Sequence, residues 1–201
     1  MRQNNAIWQL YDALIEGIAE GRHIDDTALS DTWSLVRAGD DVGIAMTTPG
    51  DTRPKLLLEG FAQCDIKRAA MALKSWNFDE AGYGGAAVNA WYNTKSRLKL
   101  LACGEPYKNY CTRGLDLTEK TVGVVGHLKM PADTLSMARE VYILERNARE
   151  GDYPNPAGEY LLPMCDVAII TGSALVNNPL PRLLELCRGA YVILTGPSVP
   201  M

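Results

Sequence analysis

Four short polar loops carry the side chains that could do chemistry, and each follows an apolar run. Thr121 to Val125 leads into Gly126 and His127, and Val141 to Leu144 leads into Glu145, Arg146 and Asn147. Val167 to Ile170 leads into Thr171, Gly172 and Ser173, with Asn177 and Asn178 beyond. Tyr191 to Leu194 leads into Thr195, Gly196, Pro197 and Ser198. Carboxylate, imidazole, hydroxyl, carboxamide and glycine backbone are groups that grip a small polar molecule by mixed donors and acceptors. Any one such loop has ordinary turn composition. Four of them converging on one rim carry more weight than any single motif.

Glu145 lies 22 positions after Gly123 at the end of an apolar run. Nucleotide sites place there the carboxylate that accepts from ribose hydroxyls. A full G-x-G-x-x-G is absent, because only Gly123 and Gly126 are present and Gly123 falls within the strand. Glu145 reads equally well as an exposed acid paired with Arg146 or Arg149. His127 can serve in acid–base chemistry or as a metal ligand, or be structural or merely solvated. Asp152, Glu159 and Asp166 are further carboxylates, Asp166 being placed to start a strand.

Composition narrows the classes. Of 201 residues, 47% are hydrophobic and 22% charged, ordinary for a globular chain and unlike a disordered or coiled-coil one. Twenty Lys and Arg against 24 Asp and Glu give a net charge of -4, so there is no basic surplus for nucleic acid. No apolar run approaches a membrane span, and Asp12 and Glu16 interrupt the first helix where a signal peptide would be apolar. The chain reads as cytoplasmic, with no membrane partner. Five cysteines (64, 103, 111, 165 and 187) without a C-x-x-C, and two histidines, read as reduced thiols and give little support to a Cys/His metal cage. A metal would arrive with a ligand or sit between chains.

The elements that must position these loops fall into two halves. In the first, Ile7, Leu10, Tyr11, Leu14, Ile15 and Ile18 predict an amphipathic helix over 6–19. Trp33–Ala38 and Val42–Met46 around Gly39-Asp40-Asp41 predict a hairpin, Thr47–Pro54 a loop and Leu56–Leu58 a third strand. Ile66, Ala69, Ala70 and Leu73 mark a second helix. A third over 80–93 has an unusually small surface (Gly82, Gly84, Gly85, Ala86, Ala87, Ala90), which implies close packing or room for a ligand; Asn89 is its polar exception. Gly104–Thr118 reads as a linker. In the second half, the four apolar runs alternate with helical stretches near 131–139, 157–162 and 180–187, predicting a Rossmann-like parallel sheet with right-handed crossovers and a ligand at the carboxyl ends of its strands.

Gly123-Val-Val-Gly-His127, Leu144-Glu145-Arg146, Asp166-Val-Ala-Ile-Ile-Thr-Gly-Ser173 with Asn177, and Gly196-Pro197-Ser198 resemble the C-terminal domain of the DUF364 proteins, described as putative heavy-metal chelation. Upstream, Gly84-Gly85-Ala86-Ala87-Val88-Asn89-Ala90 resembles a helix of the companion DUF4213 domain. The resemblance implies an α/β chain in which an enolase N-terminal-like α+β domain (1–104) and a linker (105–118) precede a Rossmann-like domain (119–201) that is shortened at its C-terminus. It also implies an interdomain cleft that takes a pterin, flavin or siderophore-like chelator. The cofactor would be a transition metal held through that chelator. The alternative is an enzyme acting on such a heterocycle or using a nucleoside cofactor such as S-adenosylmethionine. Whether a reaction is catalysed is left open.

On this reading the ligand residues are Asn89, Gly126, His127, Glu145, Thr171, Gly172, Ser173, Asn177, Gly196, Pro197 and Ser198. Asn89 would face Glu145, Thr171, Asn177 and Ser198 across the cleft, Gly85 and Ala86 would leave room for a planar molecule, and the glycine loops would offer backbone N–H groups. A last strand followed only by Thr195 to Met201 has no further helix to cover its last backbone groups, an invitation to homo-oligomer formation or the mark of a missing segment.

Overall fold

The computed structural model describes residues 8–48, 53–55, 60–97, 112, 114–131 and 133–201. The expected strand over Leu56–Leu58, Cys103 and most of the expected linker, Cys111 among it, lie outside the described residues. The chain forms two compact units. One comprises 1–102, 173–181 and 197–201, and the other 103–172 and 182–196.

The first unit is built on an antiparallel sheet of β1 (Asp26–Leu29), β2 (Trp33–Ala38) and β3 (Asp41–Met46), in that order. β2 and β3 pair from Trp33↔Met46 to Ala38↔Asp41, as the expected hairpin requires. β1 gave no sequence signal, because its pattern is almost wholly exposed. Helix α1 runs Gln9–Glu16, with 1–7 outside the described residues. It ends before Ala19 for a visible reason: the Tyr92 hydroxyl donates to Leu14 O (2.9 Å), and the Ile18 N–H turns instead to Ile15 O (3.1 Å).

Helix α2 (Ile66–Ala70), extended by a 3-10 turn over Met71–Lys74, starts where Asp65 accepts from the N–H groups of Lys67 and Arg68. Such a cap satisfies orphan donors of the first turn. Helix α3 (Phe78–Tyr92) is capped likewise by Asn77, which accepts from Glu80 N–H (3.1 Å), and carries Asp79 and Glu80 at its positive end.

The small surface of α3 is filled by packing. A Cβ added to Gly43 of β3 would stand 2.8 Å from Ala90 Cα and collide with Ala86 O and Ala90 N, so helix and strand touch backbone to backbone. One on Gly85 would stand 3.1 Å from both Ala45 Cβ and Val176 Cγ2. Ala86 is fully buried. The space expected for a planar ligand beside Gly85 and Ala86 is therefore occupied by protein.

The second unit is a five-stranded, all-parallel sheet in the order β6-β5-β4-β7-β8. Its strands are β4 (Thr121–Val125), β5 (Glu140–Glu145), β6 (Tyr153–Pro154), β7 (Val167–Thr171) and β8 (Tyr191–Thr195). β4 is buried along its whole length and β7 along all but Thr171, whereas β5 and β8 alternate. The continuous apolar runs of β4 and β7 are covered on both faces, whereas those of β5 and β8, equally apolar, are partly exposed on one. Val122, Val124, Val167, Ile169 and Ile193 form the core with Leu117. Gly123 serves close packing: a Cβ there would stand 2.9 Å from Leu162 Cδ2 and 3.0 Å from Cys165 Sγ.

Helix α4 (Gly158–Leu161) is flanked by 3-10 turns, α5 covers Ser173–Val176 and α6 covers Leu180–Leu186. Where a helix is expected over 131–139, the described residues 133–139 form turns instead, bonded Thr134 to Pro131, Ser136 to Asp133 and Ala138 to Leu135. Arg139 N–H is drawn out of the stretch to Lys120 O (2.9 Å). No helix among the described residues is long and apolar enough to cross a membrane.

Candidate functional site at the carboxyl rim of the parallel sheet

At the end of β4, Gly126 adopts φ +94°, a conformation that favours glycine. A Cβ there would also stand 2.8 Å from Thr171 Cγ2 at the end of β7. Its N–H donates to Leu144 O (2.9 Å), and Gly172 N–H donates to Thr195 O (2.7 Å). These two N–H groups extend the strand pairing and are not free for a ligand, which corrects the expectation of open glycine donors at Gly126 and Gly172. Gly196, at φ +111°, closes β8 beside Gly172, whose N lies 3.7 Å from where a Gly196 Cβ would stand.

The next residue, His127, sits between two carboxylates. Its backbone N–H donates to Glu145 Oε2 (2.9 Å), and its Nδ1 is 3.5 Å from the same oxygen. Its Nε2 lies 2.7 Å from Asp152 Oδ2. Glu145 also accepts through Oε1 from the N–H groups of Arg146 (2.6 Å) and Asn147 (3.4 Å). This carboxylate ties the loop after β4 to the loop after β5 with three backbone bonds, a role that spacing alone did not reveal. Asp152 accepts from Arg149 N–H at 2.7 Å, within a turn closed by Asp152 N–H to Arg149 O. The Arg149 N–H and then the His127 imidazole outweigh partial desolvation and hold the Asp152 carboxyl below the usual carboxylate range. The three side chains are 19% (Glu145), 28% (His127) and 8% (Asp152) exposed, so the imidazole is the most accessible of them.

The remaining expected site residues lie in the first unit. Asn89 is 1% exposed; its Nδ2 donates to Ile44 O (2.7 Å) and Pro197 O (3.3 Å), while its Oδ1 has no partner among the described residues. Ser198 Oγ accepts from Met46 N–H (2.8 Å). Asn93, one turn beyond Asn89 on α3, donates to Val199 O (2.9 Å) and accepts from Met201 N–H (2.7 Å). Asn93 thus pairs backbone groups of the segment after Ser198; its i+4 spacing from Asn89 is the signal the sequence offers for it. Ser173 O accepts from Asn177 N–H (3.0 Å) in one helical turn.

Among the described residues no group of three or more His, Cys, Asp or Glu side chains is arranged to hold a metal ion. The reason is visible at the rim, where Glu145 and Asp152 address opposite nitrogens of one imidazole. Among the described residues two donors, His127 Nδ1 and Glu145 Oε2, share a side, which fits part of a coordination sphere and not a whole one. Burial pushes the Cys165 and Cys187 thiols up to about 11, which makes them poor thiolate ligands.

Family models described as putative heavy-metal chelation match this chain twice, DUF4213 over residues 11–92 and DUF364 over residues 115–201. No curated protein matches it. A protein of unknown function from the DUF364 family of Pyrococcus horikoshii shares the fold at TM-score 0.76 and 24% identity, over 96% of this chain and 79% of that one. A second, from Desulfitobacterium hafniense DCB-2 and also of unknown function, superposes at TM-score 0.83 with 37% identity, over 98% of this chain and 80% of that one. With that identity over that span, and with both family models in their expected order, the chain belongs to the DUF364 family.

Proposed function

We propose that the chain binds a transition metal in the form of its complex with a small organic chelator, at the carboxyl rim of the parallel sheet. The family description supplies the coarse class, heavy-metal chelation. The observation that carries the finer reading is the line Glu145–His127–Asp152, an accessible imidazole between two backbone-anchored carboxylates where parallel sheets place their ligands. Among the described residues too few donors converge for a bare ion, and on this reading the other coordination positions fall to the chelator. Pterin, flavin and siderophore-like chelators are the classes proposed, since each offers ring or hydroxamate-type donors to the metal and polar edges to the protein. The alternative, an enzyme using a nucleoside cofactor, has less support. Glu145, its main sequence argument, already accepts from three backbone N–H groups, and Gly126 and Gly172 have no N–H to offer a phosphate.

Calorimetry with transition metals alone and with their pterin- or flavin-like complexes tests the reading. Saturable 1:1 heat with a complex, greater than with the bare ion, is expected. No heat with any complex would sink it.

A further inference from the structure

We infer that His127 Nδ1 and Glu145 Oε2 are a two-donor protein site that completes the coordination sphere of a chelated first-row transition metal, with Asp152 fixing the imidazole tautomer. This rests on the chelate-binding reading and assigns its protein ligands. Asp152 Oδ2 already accepts from Arg149 N–H (2.7 Å), so it meets His127 Nε2 (2.7 Å) as an acceptor and places the imidazole proton there. In the neutral ring the lone pair is then on Nδ1, on the side of Glu145. The 3.5 Å between Nδ1 and Oε2 is too long for a good hydrogen bond. Two donors at ~2.1 Å stand ~3.4 Å apart at a tetrahedral angle, close to this separation, and ~3.0 Å apart at the right angle of an octahedral ion, which would draw the pair together by ~0.5 Å.

Metal-bound imidazoles typically donate their other N–H to a carboxylate, the role Asp152 fills here. Three backbone N–H groups hold Glu145 in place, so little ordering remains for binding to impose. The partner is therefore a metal complex that keeps two adjacent positions open or exchangeable.

Nickel(II) nitrilotriacetate, whose four donors leave two adjacent positions, is the probe. Untagged full-length protein is titrated with it and with nickel(II) alone by calorimetry, and the loaded protein is read by paramagnetic proton NMR. The expected results are tighter binding of the complex than of the bare ion and an exchangeable, contact-shifted Nε2–H signal. His127→Ala should abolish that signal, and His127→Ala and Glu145→Gln should each raise Kd at least ~10-fold. Asp152→Asn should keep the signal but speed its exchange with water. Unaltered binding in both His127→Ala and Glu145→Gln would overturn the donor assignment while leaving chelate binding intact. Absence of the contact-shifted signal from the loaded wild-type protein would overturn it even if a variant failed to fold. Bare nickel binding as tightly as the complex would overturn the role given to the chelator. No binding of this complex or of any pterin- or flavin-like one would remove the functional reading as well.

Discussion

Replacing Gly43 by Ala tests whether the small-residue surface of α3 exists for packing. The backbone at Gly43 is not in the left-handed region, so by conformation alone Ala would stabilise the protein by about 0.4–1 kcal/mol through the unfolded chain. The added Cβ, however, stands 2.8 Å from Ala90 Cα and still nearer Ala86 O and Ala90 N, against 3.4 Å or more for an ordinary contact. Clearing Ala90 Cα alone asks α3 to withdraw by about 0.6 Å, enough to forfeit a quarter or more of the dispersion well of each separated pair. The obstructing atoms are backbone, which no rotamer change can move, so the cost belongs at or above the upper end of the ~1–3 kcal/mol typical of overpacking. The net loss is about 2–3 kcal/mol, or a Tm lower by roughly 5–10 °C. Urea denaturation followed by circular dichroism measures it, with Gly189→Ala, where a Cβ meets nothing within 4 Å, as the control expected within about 0.5 kcal/mol of wild type. Equal stabilities for the two variants would refute the packing argument.

Asn89→Ala leaves Ile44 O and Pro197 O without their donor and should cost about 1–3 kcal/mol in urea denaturation; an unchanged midpoint would show that Asn89 does not hold the 197–199 segment. Asp65 is partly desolvated, but the N–H groups of Gly21, Lys67 and Arg68 outweigh that and depress its carboxyl below the usual range. A depressed carboxyl stabilises the fold above its unfolded value, and that contribution disappears as pH falls through the folded one. Asp65→Ala should therefore cost about 1 kcal/mol at neutral pH, with the difference from wild type shrinking in acid; a difference that grows in acid would contradict this. With thiols pushed up to about 11, Cys165 and Cys187 should stay unmodified by iodoacetamide at pH 8 in the folded protein and react only in denaturant, as peptide mapping will show.

The parallel sheet was legible because β4 and β7 are apolar on both faces, a pattern few other environments permit. β1 and β6 were not: one is mostly exposed and the other is only Tyr153–Pro154, so neither carries a burial rhythm. Residues 133–139 are helix-compatible, yet their backbone is bonded as successive turns, a competition that composition does not reveal. At the rim, the positions of Gly126, His127 and Glu145 at strand ends could be read from the apolar runs preceding them. That Glu145 would anchor backbone N–H groups, and that Asp152 would reach His127 from the turn before β6, depends on two loops meeting in space. Asn89 was noticed for being polar on a small surface, yet its partners, Ile44 and Pro197, are 45 and 108 residues away.

Anomalous diffraction from crystals of the protein soaked with nickel(II) nitrilotriacetate locates the metal relative to His127 and Glu145. One nickel peak is expected, bonded to His127 Nδ1 and Glu145 Oε2, with nitrilotriacetate filling the other positions and Asp152 still paired to Nε2. A nickel peak bound elsewhere on the chain, with His127 and Glu145 left as they are, would contradict it.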